Sequence, residues 1–164
     1  MIQVAVVTVS DSAVAGTRED RSGPALSARV KALGWTARSL DVVPDEQDQI
    51  AAKLRQLADS GQASVILTTG GTGVALRDVT PEATRGVIER EVPGLAELMR
   101  SEGRKFTPLA VLSRGLAGIR SRTLIVNLPG SPKGAVQSFD AIAQLIPHIV
   151  DLLEGRTSHA DVPH

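Results

Sequence analysis

The sequence predicts an α/β protein built around a largely parallel β-sheet. Apolar runs of strand length alternate with segments of helical periodicity, and this alternation is typical of parallel sheets with right-handed crossovers. Hydrophobic residues make up 42% of the chain but aromatic residues only 2%, so aliphatic side chains must build the core. The 15 glycines indicate several tight turns. At 164 residues the chain has the length of one domain, in which roughly 70% of the unfolded surface can be buried.

The first strand and helix follow from the opening residues. Residues 2–9 are β-branched and nearly all apolar, which predicts a strand covered on both faces. Residues 10–23 are polar and contain glycine, so we expect a loop there. Ser22 and Pro24 then begin a helix that ends at Gly34.

Two further strand-helix units follow directly. A strand over 36–43 leads past Asp45 into an amphipathic helix that ends at Gly61. The third strand, 63–69, runs into a glycine-rich segment, after which Thr80 is a suitable N-cap for the next helix. Three such units in succession predict neighbouring parallel strands.

The C-terminal part is more irregular. Residues 92–118 predict two short helices with an interruption near Gly103. An apolar strand over 123–128 precedes a long last helix, which Ser131 caps at its beginning. We expect Pro147 to kink or split that helix, because proline removes a backbone donor.

Composition limits the function classes. Lys plus Arg and Asp plus Glu each number 18, and cysteine is absent, which argues against nucleic-acid binding, disulfides and thiolate chemistry. No apolar stretch approaches the roughly 20 residues of a membrane span, and the first residues read as a strand, not a signal peptide. We expect a cytoplasmic protein with one domain over 1–154 and a flexible polar tail over 155–164.

The strand ends carry the residues that could perform chemistry, because ligands of open α/β sheets bind beyond the carboxyl ends of the strands. These residues are Ser10, Asp11, Asp45, Thr69, Gly70, Gly71, Thr72, Gly73, Asp78, Asn127, Pro129, Gly130 and Ser131. Glycines let backbone N–H groups converge on phosphate oxygens, and a helix N-terminus adds partial positive charge. Acids from three strand ends then predict a hard cation, Mg²⁺, that bridges to a nucleotide.

Each of these residues also has a purely structural interpretation. The glycine-rich segment could be only a turn, Asp45 could be a first-turn acid favoured by the helix dipole, and Asp78 could cap the turn before Thr80. The familiar dinucleotide and Walker patterns do not match, because the glycines follow the third strand and no lysine follows them.

Cations and histidines give weaker signals. Arg114 and Lys133 are the best-placed cations, and solvated surface charge is the competing interpretation for both. His148 lies beside a helical proline, and His159 and His164 lie in the tail, so we expect all three to be solvated.

Several motifs together resemble a known family. They are "TVSDS", "AGTREDRSG", "VVPDE", "TTGGTGVALRDVTPEAT", "EVPGL", "LSRGLAGIR" and "NLPGSP". In this order they resemble the molybdenum cofactor biosynthesis proteins of the Mog/MoaB type, which are related to the G domain of gephyrin. The resemblance implies a three-layer α/β/α fold with a mostly parallel central sheet, and assembly as a homotrimer or a dimer of trimers.

The resemblance also implies a molybdopterin adenylyltransferase, which uses ATP and Mg²⁺ to give adenylyl-molybdopterin and pyrophosphate. Asp45 and Asp78 fall on acidic positions tied to catalysis and metal binding, with Asp11 or Asp20 as further metal ligands. The other strand-end residues above, together with Thr80, Ser113, Arg114 and Lys133, fall on substrate- and nucleotide-binding positions. A downstream molybdenum-insertion protein is an expected partner.

Two alternatives stay open at this point. One is a non-catalytic molybdopterin-binding or scaffold protein of the MoaB branch, which the "SDS" and "GTREDRSGPAL" segments resemble. The other is the competence-damage type of domain, a relative linked to nucleotide hydrolysis, although its usual additional domain is missing here.

Overall fold

The computed structural model of the protein describes residues 1–156. The strands are β1 (Gln3–Val9), β2 (Thr36–Val43), β3 (Val65–Thr69), β4 (Arg90–Glu91), β5 (Ala117–Arg120) and β6 (Thr123–Leu128). The α-helices are α1 (Asp11–Ala15), α2 (Ser22–Ala32), α3 (Gln47–Asp59), α4 (Thr80–Arg85), α5 (Pro93–Gly103), α6 (Pro132–Ile142) and α7 (Ile146–Leu153). Two 3₁₀ helices, Pro108–Leu112 and Ala143–Leu145, complete the secondary structure.

The six strands form one sheet in the order β2-β1-β3-β6-β5-β4. The first four of these are parallel to one another, whereas β5 runs antiparallel to β6 and β4 antiparallel to β5. The register pairs Val9 with Val43 and Thr69 with Leu128. The carboxyl ends of the parallel strands therefore lie along one edge of the sheet, as predicted.

Helices cover both faces of the sheet, which confirms the three-layer architecture. On one face, α2, α5, α6 and α7 bury an aliphatic core in which Phe139 is fully enclosed and contacts Trp35 edge to face, with ring centroids 5.9 Å apart. On the other face, α3 and α4 enclose a smaller cluster that includes Ile50 and Ile66. The central strands β1, β3 and β6 are thus shielded from water on both sides, as their continuous apolar sequences require.

The last helix and its cap agree with the sequence. Ser131 Oγ accepts the Gly134 N–H (3.1 Å), and the helix is interrupted by the 3₁₀ turn just before Pro147. Pro147 stands in the first turn of α7, where its missing N–H costs nothing.

Three local predictions are wrong. Residues 10–23 are not a loop throughout, because Ser10 Oγ accepts the Ala13 N–H (3.2 Å) and starts the short helix α1. The second short helix predicted before Gly118 is only a 3₁₀ turn, and strand β5 follows it, because pairing with β6 supplies hydrogen bonds that local sequence cannot. Thr80 lies inside α4 and does not cap it; its buried hydroxyl donates to the Gly70 carbonyl (2.9 Å).

The predicted tail over 155–164 lies mostly outside the described residues. Within residues 1–156, none of the helices combines the length and apolar character that a membrane crossing needs.

Candidate active site

Two adjoining pockets open at the carboxyl edge of the sheet. The first, here called the polar pocket, has a volume of about 470 Å³ and is lined by residues 8–13, 18–22, Asp45, 69–71 and 130–132. The second, the apolar pocket, has a volume of about 540 Å³ and lies between residues 71–75 with Asp78, helix α5, the segment 107–115, and residues 127–138. Strand β5 starts at this edge because it is antiparallel, which brings the 113–116 segment to the same place.

The predicted site residues divide between the two pockets. Ser10, Asp11, Asp45, Thr69 and Gly70 line the polar pocket, and Thr72, Gly73, Asp78, Ser113, Asn127 and Pro129 line the apolar one. Gly71, Gly130 and Ser131 line both, and are here called the shared ridge. Thr80, Arg114 and Lys133 line neither pocket.

The glycines of the shared ridge allow a backbone approach that a side chain would block. Gly71 has φ of +70°, and a Cβ there would collide with Thr80 Oγ1 and lie 3.2 Å from Asp45 Oδ1. A Cβ on Gly130 would lie 3.2 Å from the Cα of Gly70. The glycine-rich segment is thus a tight turn that also brings its backbone against a carboxylate.

Asp45 is held in place by a reciprocal pair of hydrogen bonds. Its backbone N–H donates to Oδ1 of Asp11 (2.9 Å), and the Asp11 N–H donates to Oδ2 of Asp45 (3.0 Å). Burial raises the pKa of Asp45, and the negative charges of Asp11 and Asp78 add to the increase. Asp45 is therefore a fixed carboxylate whose ionised form gains from a cation.

The carboxylates of Asp11 and Asp20 are already hydrogen-bonded within the protein. Arg77 donates to Oδ2 of Asp11 through Nε (3.1 Å) and Nη2 (2.7 Å), which lowers the pKa of Asp11. Asp20 accepts from the Thr8 hydroxyl (2.9 Å) and from the Gly23 N–H (3.1 Å), and so fixes the start of α2. Sequence analysis gave both acids as candidate metal ligands. Their hydrogen bonds within the protein favour structural roles instead.

Asp78 lies across the shared ridge from Asp45, in a loop that Arg114 fastens. Arg114 donates through Nε to the Gly73 carbonyl (2.7 Å), through Nη2 to the Asp78 carbonyl (2.7 Å), and through Nη1 to Glu82 (2.7 Å). Oδ2 of Asp78 accepts the Ala75 N–H (3.1 Å). Arg114 therefore positions the loop that carries Asp78, and its guanidinium is turned toward protein acceptors.

Two arginines that sequence reasoning missed complete this arrangement. Arg77 bridges Asp11 and Glu46 (3.1 Å), and Arg100 donates to the carbonyls of Ser113 (3.2 Å) and Gly115 (2.9 Å). No local signal could reveal the bridge to Asp11, because these residues are 66 positions apart in the chain.

Asn127 is a buried structural residue at the floor of the apolar pocket. Its Nδ2 donates to the hydroxyls of Thr68 (3.1 Å) and Thr84 (2.9 Å), and its Oδ1 accepts the Leu116 N–H (3.2 Å). These bonds tie β3, α4 and the start of β5 to β6 at the point where the apolar pocket opens.

A metal ion would have few protein ligands here. Within residues 1–156, no group of three or more acidic, histidine or cysteine side chains is arranged to hold one. Asp45 and Asp78 remain as two carboxylates near the shared ridge. Such a pair fits Mg²⁺, which proteins commonly hold through one or two carboxylates plus substrate phosphates.

The chain is an open α/β protein with a cleft at the carboxyl ends of its parallel strands. This is the place where ligands bind in open α/β sheets. Residues 5–148 match the family described as a probable molybdopterin binding domain. The chain belongs to this molybdenum cofactor biosynthesis family, which confirms the resemblance seen in its motifs.

Individual relatives agree with this assignment. The molybdopterin adenylyltransferase of Helicobacter pylori strain J99 is 43% identical over 94% of this chain and 89% of its own length. The enzyme of the same name from Escherichia coli K12 is 38% identical over 94% of this chain and 86% of its own. The crystal structure of the molybdopterin biosynthesis enzyme MoaB from Thermus thermophilus superposes with a TM-score of 0.89, at 49% identity, and covers 94% of this chain and 98% of that one.

Proposed function

We propose that the protein is a molybdopterin adenylyltransferase that transfers AMP from ATP to molybdopterin in the presence of Mg²⁺. Relatives of this name match almost the full chain. The single observation that carries the proposal is the pair of pockets that meet at the shared ridge, with Asp45 on one side and Asp78 on the other. A reaction that joins two bulky substrates needs two such pockets in contact.

The bonds made and broken define what the site must do. An oxygen of the terminal phosphate of molybdopterin attacks the α-phosphorus of ATP, and the bond from that phosphorus to the pyrophosphate oxygen breaks. Negative charge builds up on the phosphoryl oxygens and on the leaving pyrophosphate. No general base is required, because a phosphate nucleophile is already ionised near neutral pH.

The residues of the chain supply position and charge for this step. The shared ridge offers backbone N–H groups and the Ser131 hydroxyl at the N-terminus of α6, where the helix dipole favours an anion. Ser10 offers a second hydroxyl in the polar pocket, and Ser113 one in the apolar pocket. Asp45 and Asp78 would hold Mg²⁺ together with the substrate phosphates, where the ion would offset the developing charge.

The direct test combines purified protein, ATP, Mg²⁺ and molybdopterin, with detection of adenylyl-molybdopterin by mass spectrometry. Asp78→Asn should abolish transfer but leave molybdopterin binding largely intact. Asp140→Asn is the matched control, because Asp140 lies on α6 outside both pockets and pairs with Arg29.

The outcomes separate the candidate functions. Near-normal turnover by Asp78→Asn would refute its metal-binding role. Molybdopterin binding without product would favour the non-catalytic scaffold, and cleavage of ATP without molybdopterin would favour the nucleotide-hydrolysing relatives.

We also propose that the protein assembles as a trimer or a dimer of trimers. We place it in the cytoplasm, which supplies ATP, and we propose that its product passes to a molybdenum-insertion protein. The assembly proposal is supported by apolar side chains at Phe106, Leu109 and Val111, each more than half exposed in the monomer. Light scattering of the purified protein distinguishes monomer, trimer and hexamer.

A further inference from the structure

We propose that Arg18, with Arg21 beside it, provides the positive charge that binds a phosphate or pyrophosphate group in the polar pocket. The inference deepens the proposed function, because it names the cations for an anionic substrate group. Neither arginine stands out in the sequence, where both are part of a short stretch of alternating charge.

The two arginines lie at the wall of the polar pocket. Among the Lys and Arg residues of the described chain, only Arg18 and Arg21 line the polar pocket, which also contains Asp45 and the glycine-rich turn. Lys133 follows the cap of α6 but lies outside both pockets. A cation that meets a ligand in the polar pocket therefore comes from the 18–21 segment.

The other arginines in and around the cleft are already bonded within the protein. Arg77 binds Asp11 and Glu46, and Arg114 binds Glu82 and two backbone carbonyls. Arg100 donates to the carbonyls of Ser113 and Gly115, two residues that line the apolar pocket. Recruiting any of the three for a substrate would release a loop that forms the site.

Arg18 by contrast has its donors available. Within residues 1–156 its side chain makes no hydrogen bond or ion pair, and it is exposed. Arg21 has one long contact with Glu19 (3.7 Å), in which both side chains are more than three-quarters exposed. Such surface pairs contribute little, so an entering phosphate could replace Glu19 as the partner of Arg21.

The backbone beneath Arg18 is nevertheless fixed. The N–H groups of Thr17 and Arg18 both donate to the Ser12 carbonyl (3.0 and 3.2 Å), after the chain turns back at Gly16 with φ of +75°. Ser12 itself lines the polar pocket. The side chain is therefore free while its point of attachment lies at the pocket wall.

The polar pocket contains more acidic than basic side chains, so an anionic ligand needs a cation there. Four acids line it, Asp11, Glu19, Asp20 and Asp45. Arg77 neutralises Asp11, and backbone and hydroxyl donors satisfy Asp20. A phosphate beside Asp45 meets repulsion that a guanidinium can offset, and the planar guanidinium fits two phosphate oxygens at once.

Binding of inorganic pyrophosphate with Mg²⁺, measured by isothermal titration calorimetry, tests the inference without molybdopterin or turnover. Arg18→Gln should weaken binding by about tenfold or more, the usual loss for a charge-assisted contact. Arg18→Gln/Arg21→Gln should weaken it further and flatten the salt dependence. Lys31→Gln is the control, because it also removes one positive charge and Lys31 is an exposed residue of α2 outside both pockets. It should leave binding unchanged.

The inference and the proposed function can fail separately. Unchanged pyrophosphate affinity in the double variant, or no measurable binding by the wild-type protein, overturns the inference even if adenylyl transfer is observed. Loss of affinity in Arg18→Gln with unchanged thermal unfolding supports it, even if wild-type protein forms no adenylyl-molybdopterin.

Discussion

Replacement of Gly71 by alanine should disturb both stability and the site. The residue has φ of +70°, and an added Cβ would collide with the Thr80 hydroxyl and approach Asp45 Oδ1 to 3.2 Å. The Thr80 hydroxyl is fully buried and donates to the Gly70 carbonyl (2.9 Å). The methyl group therefore forces that hydroxyl aside and presses on the carboxylate.

Two contributions give the expected loss of stability. The left-handed backbone costs an alanine about 1–2 kcal/mol. Breaking the buried bond from Thr80 leaves a donor and an acceptor unsatisfied, which costs roughly 1–3 kcal/mol. The free energy of unfolding should therefore fall by about 2–5 kcal/mol. A shift of Asp45 should also lower adenylyl transfer by about tenfold or more, because reaction geometry tolerates little displacement.

Gly61 provides the matched control. It has nearly the same φ, +71°, but an added Cβ meets nothing within 4 Å. Urea denaturation should give a loss of about 1–2 kcal/mol for Gly61→Ala, with normal activity. Equal losses in the free energy of unfolding for Gly71→Ala and Gly61→Ala would show that contact of the added Cβ with Thr80 and Asp45 has no effect on stability. Thr80→Ala should in turn reduce the additional cost of Gly71→Ala, because it removes the colliding hydroxyl.

Three further predictions concern the residues around the shared ridge. Arg114→Lys should lower the free energy of unfolding by only about 1–2 kcal/mol, because the side chain is part-exposed. It should nevertheless reduce kcat strongly, because the loop that carries Asp78 is released; kinetics and denaturation of the same sample measure both effects. Asp45→Asn should lose adenylyl transfer. Because burial raises the pKa of Asp45, its ionisation destabilises the fold, so the stability of the variant relative to wild type should increase as pH rises above about 4; a decrease in that relative stability with rising pH would contradict this. Asn127→Leu should lower the free energy of unfolding by about 3 kcal/mol or more, since the Leu116 N–H and two buried hydroxyls lose their partner; near wild-type stability in urea would contradict the structural role of Asn127.

Much of the fold could be predicted because its signals are local. The apolar runs locate the parallel strands β1, β3 and β6, and Ser131 and Pro147 locate the start and the interruption of the last helix. Strand β5 could not be predicted in this way, because it has only four residues and exists through its pairing with β6. Helix α1 was missed because its one turn depends on the cap at Ser10.

The candidate site shows the same division. The strand-end rule correctly brought Asp45, Asp78 and the glycines to one cleft, since parallel strands present their carboxyl ends together. It did not predict that this cleft divides into two pockets, and it did not distinguish Asp11, which pairs with Arg77, from Asp45. The assignment of Arg114 to substrate binding stays a prediction, and its contacts favour a positioning role.

Periodicity along the chain was enough to predict the layered α/β class and the edge of the sheet at which the candidate site lies, and the motifs were enough to recognise the family. Each of these signals, whether an apolar run, a turn residue or a short motif, is contained within a stretch of neighbouring residues. Which charges are free depends on the packing of the fold, because Asp11 is 66 residues from Arg77 and Glu82 is 32 residues from Arg114. Side-chain pairing over such distances depends on how the elements pack, and it is this pairing that leaves Arg18 and Asp45 available to a ligand.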